Sequence, residues 1–96
     1  MKPVTYSTDA EAELDNALAH SPDPDRFRDV LGAALNDIAS GLMKHPPVGR
    51  TGCRECILPG LPFNVVYRET DDAIEVVAVS HHSRRPGHWK KRLRPN

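Results

Sequence analysis

From Ser80 to Arg94 the chain gathers most of the side chains that could do chemistry. His81, His82 and His88 sit among Arg84, Arg85, Lys90, Lys91 and Arg92, with Trp89 between them and no acid in the run. Histidines exchange protons near neutral pH, and arginines beside them can stabilise a crowded phosphorane. With Arg68 from the preceding apolar stretch, His82, Arg85 and His88 are the set that a metal-independent ribonuclease would use. The same stretch also suits adhesion without chemistry. Arg84, Arg85, His88, Lys90, Lys91 and Arg92 would then meet a target by charge, with Trp89 as anchor. Plainer roles stand beside both: an indole buries much area and packs well onto a sheet, and Arg84 and Arg85 can pair with acids of the first helix.

Cys53 and Cys56 are the only cysteines. Their spacing is that of zinc ligands, but a tetrahedral structural site needs four ligands and no second pair exists. On a strand, positions three apart face opposite sides, which spoils chelation. Two reduced thiols are expected, with no metal and no cofactor.

These residues must be positioned by what precedes them. Phe63–Arg68 and Ile74–Val79 read as two strands joined by the polar turn Thr70-Asp71-Asp72-Ala73. Phe63, Val65 and Tyr67 share one face. Ile74, Val76 and Ala78 alternate with Glu75, Val77 and Val79, so the second strand becomes apolar on both faces and is expected to be central. Cys53–Leu58 reads as a third strand, and Pro59-Gly60 fits the middle of a type II turn. Upstream, Val4–Ser7 is β-prone, and Thr8 with Glu11 forms a capping-box pattern for a helix carrying Ala10, Leu14, Ala17 and Leu18 on one face. Asp23 and Pro24 start a second helix. Its apolar stripe is Phe27, Val30, Leu31, Ala34, Leu35, Ile38 and Leu42, and Gly32, Ala33 and Ala34 would allow close packing. Pro86 and Gly87 delay the last helical turn, expected within His88–Leu93. The expected fold is α+β in the order β-α-α-β-β-β, a helical hairpin on a small curved, mainly antiparallel four-stranded sheet.

The 96 residues suit one domain. No apolar run reaches the ~20 residues that cross a bilayer, and the N-terminus lacks a signal-peptide pattern, so a cytoplasmic protein without membrane contact is expected. Formal charge is zero but unevenly spread. Residues 1–43 carry three bases against eight acids, a net of 3 − 8 = −5, leaving +5 for the rest. That polarity describes an acidic back and a basic binding end, not a protein that coats nucleic acid.

The order of elements, together with Leu61-Pro62-Phe63-Asn64-Val65-Val66-Tyr67-Arg68 and Val77–Trp89, resembles the RelE/ParE superfamily of bacterial type II toxins, also called plasmid stabilisation proteins. The ending is similar to the V-x-H-x-x-R-x-P-x-x-W pattern of ParE-like members. The resemblance implies a cognate antitoxin that wraps an amphipathic segment over the toxin. It also implies one of two activities: inhibition of DNA gyrase and replication, as in ParE-like members, or ribosome-dependent cleavage of mRNA, as in RelE-like members. Two positions depart from the nuclease pattern. Asn64 stands where ribonuclease members carry arginine, and Trp89 where they carry tyrosine or histidine; indole has no acidic proton to give near neutral pH. Balanced charge also argues against docking into ribosomal RNA. The reading of the sequence is therefore a gyrase-directed, non-enzymatic toxin. Its alternatives are the endoribonuclease and a non-toxic scaffold that acts with its antitoxin as co-repressor. No helix-turn-helix pattern fits, so DNA is reached only through the antitoxin.

Overall fold

The structure, a computed structural model, describes residues 1–93. Its elements are β1 (Val4–Tyr6), α1 (Thr8–Ala19), α2 (Pro24–Ala39), β2 (Arg54–Ile57), β3 (Phe63–Glu69), β4 (Ile74–His81) and a closing 3-10 turn, Lys90–Leu93. The sheet order is β1-β4-β3-β2, with β1 parallel to β4 and the other pairs antiparallel. This is the expected β-α-α-β-β-β arrangement. Arg94, part of the basic run, lies outside the described residues.

Helix α1 is capped one residue earlier than its sequence suggests. Ser7, not Thr8, is the N-cap: its Oγ accepts from the Ala10 N–H at 3.1 Å. The cause is the sheet. The Ser7 N–H donates to the Val76 carbonyl at 3.0 Å, which keeps Ser7 extended and leaves Thr8 to begin the helix. Helix α2 starts as expected, with the Asp23 carboxylate accepting from the Arg26 N–H at 3.1 Å and Pro24 in the first turn. It stops at Ala39, short of Leu42. Gly41 turns left-handed at φ +81°, and the Leu42 and Met43 N–H groups fold back onto the Asp37 carbonyl at 3.0 and 3.3 Å. Leu42 is thereby 78% exposed and does not belong to the stripe. Gly32 also faces solvent, with nothing within 4 Å of where a Cβ would stand, so it mediates no close approach.

The strand alternation is broken once, and the break decides where the chemistry goes. Pairing passes from Val66↔Ala78 directly to Tyr67↔Val76, which leaves Val77 as an extra residue on β4. Such a bulge shifts the side-chain phase. Ile74, Val76 and Val79 join Val65, Tyr67 and the helices in one core. Val77 and Ala78 join Val66, Cys53 and Trp89 in a second core on the opposite face. Simple alternation would have put Ala78 with Ile74 and Val76. Because β4 is buried on both sides, it is the central apolar strand that its composition demands. The turn Leu58-Pro59-Gly60-Leu61 closes with the Leu61 N–H on the Leu58 carbonyl at 3.3 Å and Gly60 at φ +73°. That is the type II geometry expected.

Candidate functional site

Strand β1 is too short to pair with all of β4, and the backbone groups left over organise the C-terminal segment. Beyond Ser7, the Val79 N–H is satisfied by the Glu13 carboxylate at 3.1 Å, and the Val77 carbonyl accepts from the Arg92 guanidinium at 3.0 Å. Glu13 and Arg92 then bind each other through two bonds, of 2.9 and 3.0 Å. A further contact runs from Arg92 to Asp9 at 3.6 Å. Buried backbone polar groups must find partners, and here two opposite charges supply them. Burial by itself would raise the Glu13 pKa. The bonds from Arg92 and from the Val79 N–H, together with the positive charges nearby, outweigh it and hold the carboxyl below its ordinary range. Glu13 is absent from the sequence-based site, yet its signal was available. It falls on the 3–4 spaced stripe Ala10-Glu13-Leu14-Ala17, where a charge needs a reason.

Trp89 lies 2% exposed against Cys53, Val66, Val77 and Ala78. It fixes the segment from beneath while Arg92 fixes it from the side. What this presents to solvent is a cleft of about 450 Å³, lined by Glu55, Asn64, Ser80, His82, Arg84 and Lys90 among others. Two hydrogen-bonded chains join residues that line it. In one, the Asn64 amide donates to the Glu55 carboxylate at 3.1 Å and its oxygen meets His82 Nε2 at 2.8 Å. In the other, Ser80 Oγ lies 2.9 Å from His88 Nε2, and Arg84 Nη2 lies 3.3 Å from His88 Nδ1. A guanidinium can only donate, so Nδ1 accepts and the proton sits on Nε2, which donates to Ser80. Burial first, and then the Arg84 charge, holds the His88 pKa below the usual histidine value. His88 is a neutral donor to Ser80 in this network, not a base that activates it.

Arg84 and Lys90, which line the cleft, and their sequence neighbours Arg85 and Lys91 are all exposed. Arg84 reaches Glu13 only at 3.9 Å, and Arg85, Lys90 and Lys91 have no acidic partner among the described residues. Of the residues singled out for nuclease chemistry, His82 and His88 are held at one end of the sheet, His82 by Asn64 and His88 by Ser80 and Arg84, while Arg85 is exposed and its side chain makes no hydrogen bond to either among the described residues. Arg68 does not join them. It is ion-paired with Glu75 and lies four residues along β3 from Asn64, a span of roughly 13 Å. Cys53 and Cys56 are free thiols buried on opposite faces of the sheet, and burial pushes both above the ordinary thiol pKa. No cluster of three or more potential metal ligands occurs among the described residues.

A second concavity, of about 520 Å³, opens on the other side of Arg84. Ala17, Phe27, Leu61, Phe63 and Val79 supply its apolar lining, and Glu13, Asp23, Arg26, His81 and Arg84 its polar one. The Phe63 ring stands edge-on to both Phe27 and His81, with centroids 5.1 and 5.0 Å apart.

Comparison with known proteins agrees with this architecture. Among solved structures, the chain is similar to one from a chromosomal ParDE toxin–antitoxin system of P. aeruginosa, at 17% identity and TM-score 0.68 over 84% of this chain and 96% of that one. It is also similar to one from the E. coli DinJ–YafQ complex, at 14% identity and TM-score 0.65 over 86% of this chain and 96% of that one. No curated protein matches by sequence. The family described as "ParE toxin of type II toxin-antitoxin system, parDE" matches residues 4–86. A match spanning every strand and both helices, on the same topology, shows that this chain belongs to the ParE toxins of type II toxin–antitoxin systems.

Proposed function

We propose that this chain poisons DNA gyrase and so halts replication, and that a cognate antitoxin binds it and holds it inactive. It acts by binding. Arg84, Arg85, His88, Lys90 and Lys91 form the surface that meets the target, while Trp89 and Arg92 hold that surface in place. The observation that carries this reading is the state of the cleft. Its cations are exposed on a doubly anchored segment, whereas its candidate proton carriers are each tied up by neighbouring side chains. His88 gives its proton to Ser80 and accepts from Arg84, and His82 is engaged by Asn64. An assembly of that kind attracts an anionic surface but is not poised to deprotonate a 2′-OH.

The partner reading rests on the family match and on the neighbours, which were solved as, or belong to, toxin–antitoxin systems. The test is a supercoiling assay with purified gyrase. Wild-type protein is expected to inhibit, and the double variant Arg84→Ala/Arg85→Ala to lose inhibition while melting like wild type. Undiminished inhibition by the variant would remove the site from the proposal. Absence of inhibition by the wild type, joined to cleavage of mRNA on ribosomes, would establish the nuclease instead.

A further inference from the structure

Arg84 is the wall between the two concavities and lines both. Its guanidinium faces Glu13 across 3.9 Å on the groove side and His88 at 3.3 Å on the cleft side. The Glu13 contact is loose because that carboxylate is already held by Arg92 and by the Val79 N–H. The other groove acid, Asp23, is occupied in capping the Arg26 N–H. Arg26, in contrast, lies with its guanidinium over Gly60 and has no acidic partner among the described residues. The groove therefore combines an apolar floor with two under-paired guanidinium groups. It fits a segment that is apolar on one side and carries carboxylates at the edge.

We propose that the antitoxin seats such a segment in this groove and that one of its carboxylates takes Arg84 away from His88. Neutralisation then dismantles the target cleft through a single side chain, without the antitoxin having to cover the cationic surface. The proposal rests on the antitoxin reading above and adds its point of action. The energetics favour the transfer. Arg84 exchanges a long contact with a neutral imidazole for a pair in a partly apolar groove in which both partners are charged and the guanidinium can bind a carboxylate through two bonds. The charges of Glu13, Arg92 and Lys91 also act on His88, and the Arg84→Ala variant, which keeps all three, separates their effect from that of Arg84.

The experiment uses the full chain and its complex with full-length cognate antitoxin, in three parts. First, amide hydrogen exchange maps what the antitoxin protects. Second, binding is measured for wild type, Arg84→Ala and Arg84→Gln, with Arg28→Ala as a charge-matched change on α2 outside the groove. Third, the His88 ring is titrated by NMR in the free and bound chains. Groove protection is expected around Ala17, Leu61 and Phe63. Both Arg84 variants should bind roughly tenfold more weakly or worse, whereas Arg28→Ala should stay within about twofold. His88 should titrate higher in the complex than in the free wild type, and Arg84→Ala should show the raised titration already when free. Failure of the wild type to form a complex, or a complex that leaves the groove unprotected, would sink the antitoxin reading and this proposal together. A complex with the groove protected but with Arg84→Ala affinity or His88 titration unchanged would overturn the proposal alone.

Discussion

Replacing Glu13 with glutamine tests the joint on which the candidate site hangs. The amide keeps the size of the carboxylate but removes its charge from two bonds to Arg92, and it turns an N–H pair toward a guanidinium or toward the Val79 N–H. Side-chain exposure at Glu13 and Arg92 is 15% and 18%, so water replaces little of what is lost. Hydrogen bonds to charged groups contribute about 1.5–3 kcal/mol each, and breaking a fully buried pair costs about 3–5 kcal/mol. For this partly buried pair, about 2–3 kcal/mol is the expected loss. In a domain of this length that lowers the melting temperature by roughly 10–20 °C. The pH dependence has a definite sign. The Glu13 carboxyl titrates below its ordinary value of 4.5 in the folded chain, so its contribution is complete above that value and disappears as pH falls through the lowered one. Urea unfolding of wild type and Glu13→Gln at pH 7 should differ by the stated amount, and the gap should close as pH falls below 4.5 and through the lowered folded-state value. Equal stability at pH 7, or a gap that persists in acid, would refute the role assigned to the pair.

Three further outcomes follow from the packing. Trp89→Ala empties the centre of the second core and should cost about 3–5 kcal/mol in denaturant unfolding, with target binding lost through release of the C-terminal segment. Gly60→Ala forces a side chain into a left-handed position where its Cβ would meet Arg26 Nη2 at 2.6 Å. Arg26 can swing aside but the backbone cannot, so a loss of about 1–2 kcal/mol should persist in an Arg26→Ala background. Cys53 and Cys56, buried on opposite faces with raised pKa, should resist a thiol reagent in the native state and react fully in denaturant; rapid native labelling would contradict their placement.

Much of the fold was legible because its signals are local and periodic. The α2 stripe from Phe27 to Ile38, the Asp23-Pro24 start, the Pro59-Gly60 turn and the doubly apolar β4 are each fixed by neighbours in sequence, and each stands where expected, Leu42 alone falling outside its stripe. The early end of α2 is local, set by the left-handed Gly41, but two other misses share one physical origin, the sheet acting on groups distant in sequence. Pairing with Val76 moved the α1 cap to Ser7, and the extra residue at Val77 reversed the phase of β4. That reversal places Ser80 on the Trp89 side beside His88, and His81 on the helix side against Phe63. Composition cannot reveal a bulge. The basic run was visible as a run, but its division was not. Arg92 turned inward because β1 ends early and leaves β4 groups unpaired, whereas Arg85, Lys90 and Lys91 stayed outside. Asn64 was noted only as a departure from a nuclease pattern; the link it makes from Glu55 to His82 needs the β2–β3–β4 register to be seen.

The most direct test of the account is to induce this chain in growing cells without its antitoxin and pulse-label DNA and protein synthesis separately over the first minutes. Early loss of DNA synthesis with translation still running is the result predicted for a gyrase-directed toxin. Early loss of translation with DNA synthesis intact would contradict it and return His82, Arg85 and His88 to the position of catalytic candidates, and an effect on neither would leave the co-repressor scaffold as the function of this fold.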